Sequence, residues 1–78
     1  MIEINEFIRL LEAEFEDVAP GTLTPELHYR TMDTFSSMHA LIIIAFTDHQ
    51  FDVLLTGQDL RQTNTIQELY NLIGEKIG

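Results

Sequence analysis

Two stretches of the chain carry apolar residues at the helical period, and they lie near its two ends. Ile4, Phe7, Ile8, Leu11 and Phe15 stand at i, i+3, i+4, i+7 and i+11, one face of a helix predicted over 2–16. Glu3, Glu6, Glu12, Glu14 and Glu16 occupy the rest of that helix, and Pro20-Gly21 supplies two breakers, so it stops by Ala19. Ile66, Leu69, Tyr70, Ile73 and Ile77 repeat the same spacing over 66–77. There Thr65 and Glu68 predict a capping box, in which each side chain satisfies a backbone N–H of the first turn. Gly74 weakens the last turn of that helix.

The middle of the chain is harder to read. Leu41-Ile42-Ile43-Ile44-Ala45-Phe46 is rich in β-branched residues and fits a buried strand as well as a buried helix. Its surroundings favour a helix over 37–50. Ser36 is a good N-cap, Met38, Leu41, Ala45 and Phe46 are read as sharing a face, and no second convincing strand exists to pair with it. Thr24-Pro25-Glu26-Leu27 opens like a helix but is expected to make one turn inside a loop over 17–35. A loop that long is unusual without a functional reason. Thr56 to Thr63 predicts a short helix capped by Thr56, with Asp59 in the third position.

The expected architecture is a single all-α domain over 1–78. It is read as an up-and-down-like four-helix bundle with a long first connection and a short third helix. Phe7, Ile8, Leu11, Phe15, Leu41, Ala45, Phe51, Leu55, Ile66, Leu69 and Ile73 form the expected core.

Composition narrows the function classes. A 78-residue chain buries only about 60% of its unfolded surface, so its stability margin is thin. The 45% apolar content argues against disorder. Without cysteine there is no disulfide framework and no thiolate metal site. A net charge of −9 disfavours nucleic acid and anionic membranes and attracts basic protein patches, although the same charge also serves plain solubility. Met1 is followed at once by an acidic amphipathic stretch rather than a signal sequence, and the run Leu41–Phe46 is too short to span a bilayer. The expectation is a cytoplasmic monomer with no membrane insertion.

Few residues invite chemistry. His28, His39 and His49 show no metal-ligand spacing, and solvated or capping roles are expected for them. His39, two residues after Ser37, can nevertheless carry charge near a group attached there. Gly-x-Ser-x-Gly, a cysteine nucleophile, phosphate-loop and dinucleotide fingerprints are all missing, so nothing in the sequence supports hydrolytic catalysis. Met38 and Phe35 read first as core packing and second as contacts for an arm or partner. Arg30 is expected to pair with Asp33. Read by itself, the pair Ser36-Ser37 is a helix cap.

Ser36-Ser37-Met38 followed by an apolar helix, Phe51-Asp52-Val53-Leu54-Leu55, and Thr65-Ile66-Gln67-Glu68-Leu69-Tyr70 resemble the acyl carrier protein family in one gapless register from Ser36 to Ile73. That family has Asp-Ser-Leu at the start of its second helix and a Thr-Val-Gln start to its last. Outside this register the resemblance is one of length and pattern only. It implies a 4′-phosphopantetheine arm, installed from coenzyme A on Ser37 by a magnesium-dependent phosphopantetheinyl transferase, with Ser36 as the fallback site. The arm would hold acyl intermediates as thioesters for acyl-transfer, ligase or synthase enzymes, so the resemblance implies a carrier that is no enzyme itself. Phe35, Met38, His39 and Ile42 would contact the arm or those partners, and acyl chains would be partly sheltered beside the Ile-rich segment.

A hydroxyl at the first position of a helix also suits phosphate on physical grounds, because the N-terminal amides and the helix dipole favour an anion there. Serine caps a helix about as well as aspartate, so the cap is expected to survive at Ser36.

The sequence departs from the family at several points. Ser36 and Met38 replace the motif's Asp and Leu, and Asp33-Thr34 replaces the usual Leu-Gly, with Met32 or Phe35 taking the packing role. His39 and Ile42 stand where acids are expected, which implies apolar docking and a dedicated lipid or polyketide-like pathway rather than general fatty acid biosynthesis. Two alternatives stay open: a peptidyl or aminoacyl carrier of the same fold, and an unmodified helical interaction module.

Overall fold

The computed structural model describes residues 1–33 and 35–78. Ile4–Glu14 forms α1, Ser37–Phe51 α2, Gly57–Gln62 α3 and Ile66–Ile77 α4, and Tyr29–Thr31 makes one short 3₁₀ turn. Among the described residues there is no strand, and 41–46 lie inside α2, so the fold is all-α. Helix α1 is shorter at both ends than its periodicity predicts. Phe15 is already extended as its C-cap, and its N–H returns to the Glu12 carbonyl at 3.1 Å.

α1 packs against both α2 and α4. Phe7, Ile8, Leu11, Phe15, Leu55, Ile66, Leu69 and Ile73 are buried as expected, and Phe51 is half-buried against them. Phe7 is fully buried at an aromatic junction, its ring centroid 5.9 Å from Phe46, 6.0 Å from Phe51 and 5.5 Å from Tyr70. The contacts with Phe46 and Tyr70 are edge-to-face, an arrangement aromatic pairs favour.

The orientation of α2 corrects the expected core. Leu41 is 65% exposed and Ala45 is also exposed, and with Met38 they form an outward stripe. Phe46 does not share that face; it turns inward with His39, Ile43 and Thr47. The cause is that α2 carries apolar side chains on every side, so its period gives no direction, and α1 and α4 decide which side is covered. The hydroxyl of the fully buried Thr47 donates to the Ile43 carbonyl at 2.8 Å, which lets a polar residue sit in that core. Val18, Leu23, Tyr29, Val53 and Leu60 join the core from loops and from the short α3, where periodicity carries no signal.

The long first connection is tied down at three places. The Glu12 carboxylate accepts the N–H of Gly21 at 3.0 Å and of Leu23 at 2.9 Å, drawing the turn back onto α1. After the expected single turn, closed by Leu27 N–H to Thr24 carbonyl at 3.1 Å, the loop caps α4. The carbonyls of Leu27 and Pro25 accept the N–H groups of Ile66 and Gln67, which belong to the first turn and have no partner inside the helix. Tyr29, 1% exposed, places its hydroxyl 2.7 Å from Thr63 Oγ1, and burial pushes that phenol upward from its usual range. Arg30 does not reach Asp33; its Nε donates to the Thr63 carbonyl at 3.0 Å and its guanidinium to the Asn64 side chain.

Replacing Glu12 with alanine is expected to cost about 1–3 kcal/mol, because hydrogen bonds to a charged acceptor are lost and a part-buried N–H at Leu23 is orphaned. Chemical denaturation of the two proteins measures it.

The caps of the later helices follow the sequence closely. Thr56 and Asp59 make the full reciprocal box at the start of α3. At α4, Thr65 accepts from the Glu68 N–H at 3.1 Å, but the Glu68 carboxylate reaches one residue further back, to Asn64 N–H at 2.7 Å. Gly74 lies within α4, which continues to Ile77.

Candidate functional site

Ser37 is the first residue of α2 and is exposed. Ser36 before it has the extended backbone of an N-cap, yet its side chain makes no capping bond. The expectation that the cap survives there is therefore overturned. The Ser36 hydroxyl lies instead 2.9 Å from His39 Nδ1. His39 occupies the third helical position, so its ring can reach back to the cap residue as the acid of a capping box does, but to the side chain rather than to the backbone N–H.

His39 is neither solvated nor a simple cap. It is 7% exposed, with its ring between Phe15 at 5.1 Å and Phe35 at 6.1 Å. Its Nε2 lies 2.9 Å from Asp17 Oδ1. That hydrogen bond holds the Asp17 carboxyl below its ordinary range. An ionised carboxylate only accepts, so Nε2–H donates to Asp17; with the imidazole neutral, Nδ1 presents its lone pair and accepts from the Ser36 hydroxyl. Asp17, His39 and Ser36 thus form one directional chain joining the segment after α1 to the start of α2.

Beside this chain lies an open groove of about 440 Å³, lined by Glu14, Glu16, Asp17, Met38, His39 and Ile42. Met38 and Ile42 make part of its lining apolar, and Glu14, Glu16 and Asp17 make part of it acidic. Met38 is 68% exposed, so its expected core role is not observed, and Ile42 is half-buried. Phe35 does fill a packing role: it is half-buried, edge-on to Tyr29 at 5.7 Å. Thr34, one of the two residues standing for the Leu-Gly, lies outside the described residues.

Of the residues singled out in the sequence, Ser36, Ser37, Met38, His39 and Ile42 come together at one end of α2. Asp17 was missed, because it lies in the segment after α1, 22 positions from its partner, with no periodic or motif signal. The Ser-x-x-His spacing at a helix start was the only legible part. His28 and His49 are exposed and apart from this site; His28 forms a lone antiparallel bridge with Thr65. Among the described residues no group of histidine and carboxylate side chains could hold a metal ion. No family model, curated protein or solved structure matches the chain. No helix among the described residues is long and apolar enough to cross a membrane.

Proposed function

We propose that this protein is an acyl carrier, holding acyl groups on a phosphopantetheine arm attached to Ser37. The observation that carries the reading is the exposed hydroxyl at the first position of a helix whose first turn has no side-chain cap. A transferase can reach that oxygen from solvent, and a phosphodiester formed there meets the positive end of the α2 dipole. Residues and group fit on this count: the attachment needs an accessible serine and room for an anion, and both are present. When attached, the arm supplies the thiol on which acyl groups are carried.

The chain's own residues then bind and orient. Met38 and Ile42 offer an apolar edge to the arm or its cargo, and the exposed stripe of Met38, Leu41 and Ala45 continues that edge along α2. Glu14, Glu16 and Asp17 flank it with negative charge suited to a basic patch on a partner enzyme. The paucity of acids on α2 itself favours a dedicated lipid or polyketide-like pathway, and a cytoplasmic setting fits an arm drawn from coenzyme A. A peptidyl or aminoacyl carrier differs only in cargo, which the identity of the thioester on natively purified protein decides.

Co-expression with a broad-specificity phosphopantetheinyl transferase is expected to add the mass of one phosphopantetheine to the wild type and none to Ser37→Ala, read by intact mass spectrometry. A gain that persists in Ser37→Ala and vanishes in Ser36→Ala moves the site by one residue. An unmodified wild type refutes the carrier, and the outward apolar stripe of α2 then favours the second reading, a helical interaction module.

A further inference from the structure

The carrier reading uses Ser37 and leaves the Asp17–His39–Ser36 chain without a task. The geometry points to Ser36 as an activated nucleophile that takes acyl groups from neutral or cationic esters and thioesters, with His39 as its general base and Asp17 as the residue that positions the imidazole.

Four observations carry this. The Ser36–His39 and His39–Asp17 separations, both 2.9 Å, lie within the reach proton transfer needs. In the neutral imidazole the direction of the chain follows from Asp17: its carboxylate accepts from Nε2–H, which leaves Nδ1 to accept from Ser36. The imidazole is buried between two aromatic rings, which fixes its orientation, while Ser36 itself is exposed to an incoming substrate. Finally, Ser36 stands at the same cap position as Thr56 and Thr65, both of which accept a first-turn N–H; Ser36 gives its hydroxyl to His39 instead. Abandoning a cap lowers the stability of a helix start. The first turn of α2 is left without a side-chain cap.

The step balances within the chain. As Ser36 Oγ bonds to the acyl carbon, His39 Nδ1 takes the hydroxyl proton; the carbon–oxygen or carbon–sulfur bond breaks, and the departing alcohol or thiol takes the proton back. Water, deprotonated by the same nitrogen, then releases the acid and returns Ser36 to its hydroxyl form. Met38 and Ile42 in the adjoining groove suit an apolar acyl chain, and the rim of Glu14, Glu16 and Asp17 repels anionic esters.

The test uses the unmodified full chain with p-nitrophenyl acetate and with a fluorophosphonate probe, read by intact mass and peptide mapping. One adduct at Ser36 is expected, undiminished in Ser37→Ala, which separates this inference from the carrier reading. Acylation is expected to slow by about 10²–10⁴-fold in His39→Gln. Asp17→Asn, a change at a partly exposed side chain, is expected to slow acylation and alter its pH profile while leaving the circular dichroism spectrum unchanged. Absence of a Ser36 adduct overturns the inference. So does an adduct whose rate is the same in Asp17→Asn and in a folded His39→Gln protein.

Discussion

Ile43→Asp is expected to unfold most of this protein at ambient temperature, while Leu41→Asp, two positions earlier on the same helix, leaves its stability nearly unchanged. Ile43 is 1% exposed inside the core that α2 shares with α1 and α4, whereas Leu41 is 65% exposed. A carboxylate at position 43 has no partner, and an uncompensated buried charge costs about 3–5 kcal/mol beyond the lost apolar burial. At position 41 the new charge stays in water, and exposed changes of this kind stay within about 0.5 kcal/mol. Thermal melts followed by circular dichroism measure both. Equal damage from the two substitutions would show that α2 is rotated from the orientation described.

Phe7→Ala is expected to cost about 3–5 kcal/mol, the range for truncating a large buried aromatic. The ring has no exposed surface and meets Phe46, Phe51 and Tyr70, so its loss opens a cavity where α1, α2 and α4 converge. Phe46 and Tyr70 also lose edge-to-face contacts, each worth about 0.5–1.5 kcal/mol beyond area alone. Stabilities near 0.05–0.15 kcal/mol per residue are usual, so a loss of this size takes a large share of what a chain this short can hold. Urea denaturation gives the difference directly. A loss below about 1 kcal/mol would mean the site collapses around the smaller side chain, contrary to the rigid aromatic packing described.

The sequence alone determined the all-α class, the existence of α1 and α4, the cap of α3 and the start of α2, because each depends on local terms. Apolar spacing at Ile4, Phe7, Ile8 and Leu11 and at Ile66, Leu69 and Ile73 reports a buried face before any partner is known. Thr56 with Asp59 likewise satisfies amides that lie within one turn. The long connection was legible only as a loop with one turn, since its anchors are distant: Glu12 for Gly21 and Leu23, Thr63 for Tyr29 and Arg30. Ser36, Ser37 and His39 could be singled out from the chain, but not their arrangement.

Only the tertiary structure decided which side of α2 faces inward and what His39 does. A helix that is apolar all round lowers its free energy by burying any side, so the choice falls to the shape of the surface that α1 and α4 present. That choice turned Leu41 and Ala45 to solvent and buried His39 beside Phe15, within reach of Asp17. A hydrogen bond between residues 22 positions apart leaves no mark on local spacing, because its partners meet only after the helices have packed.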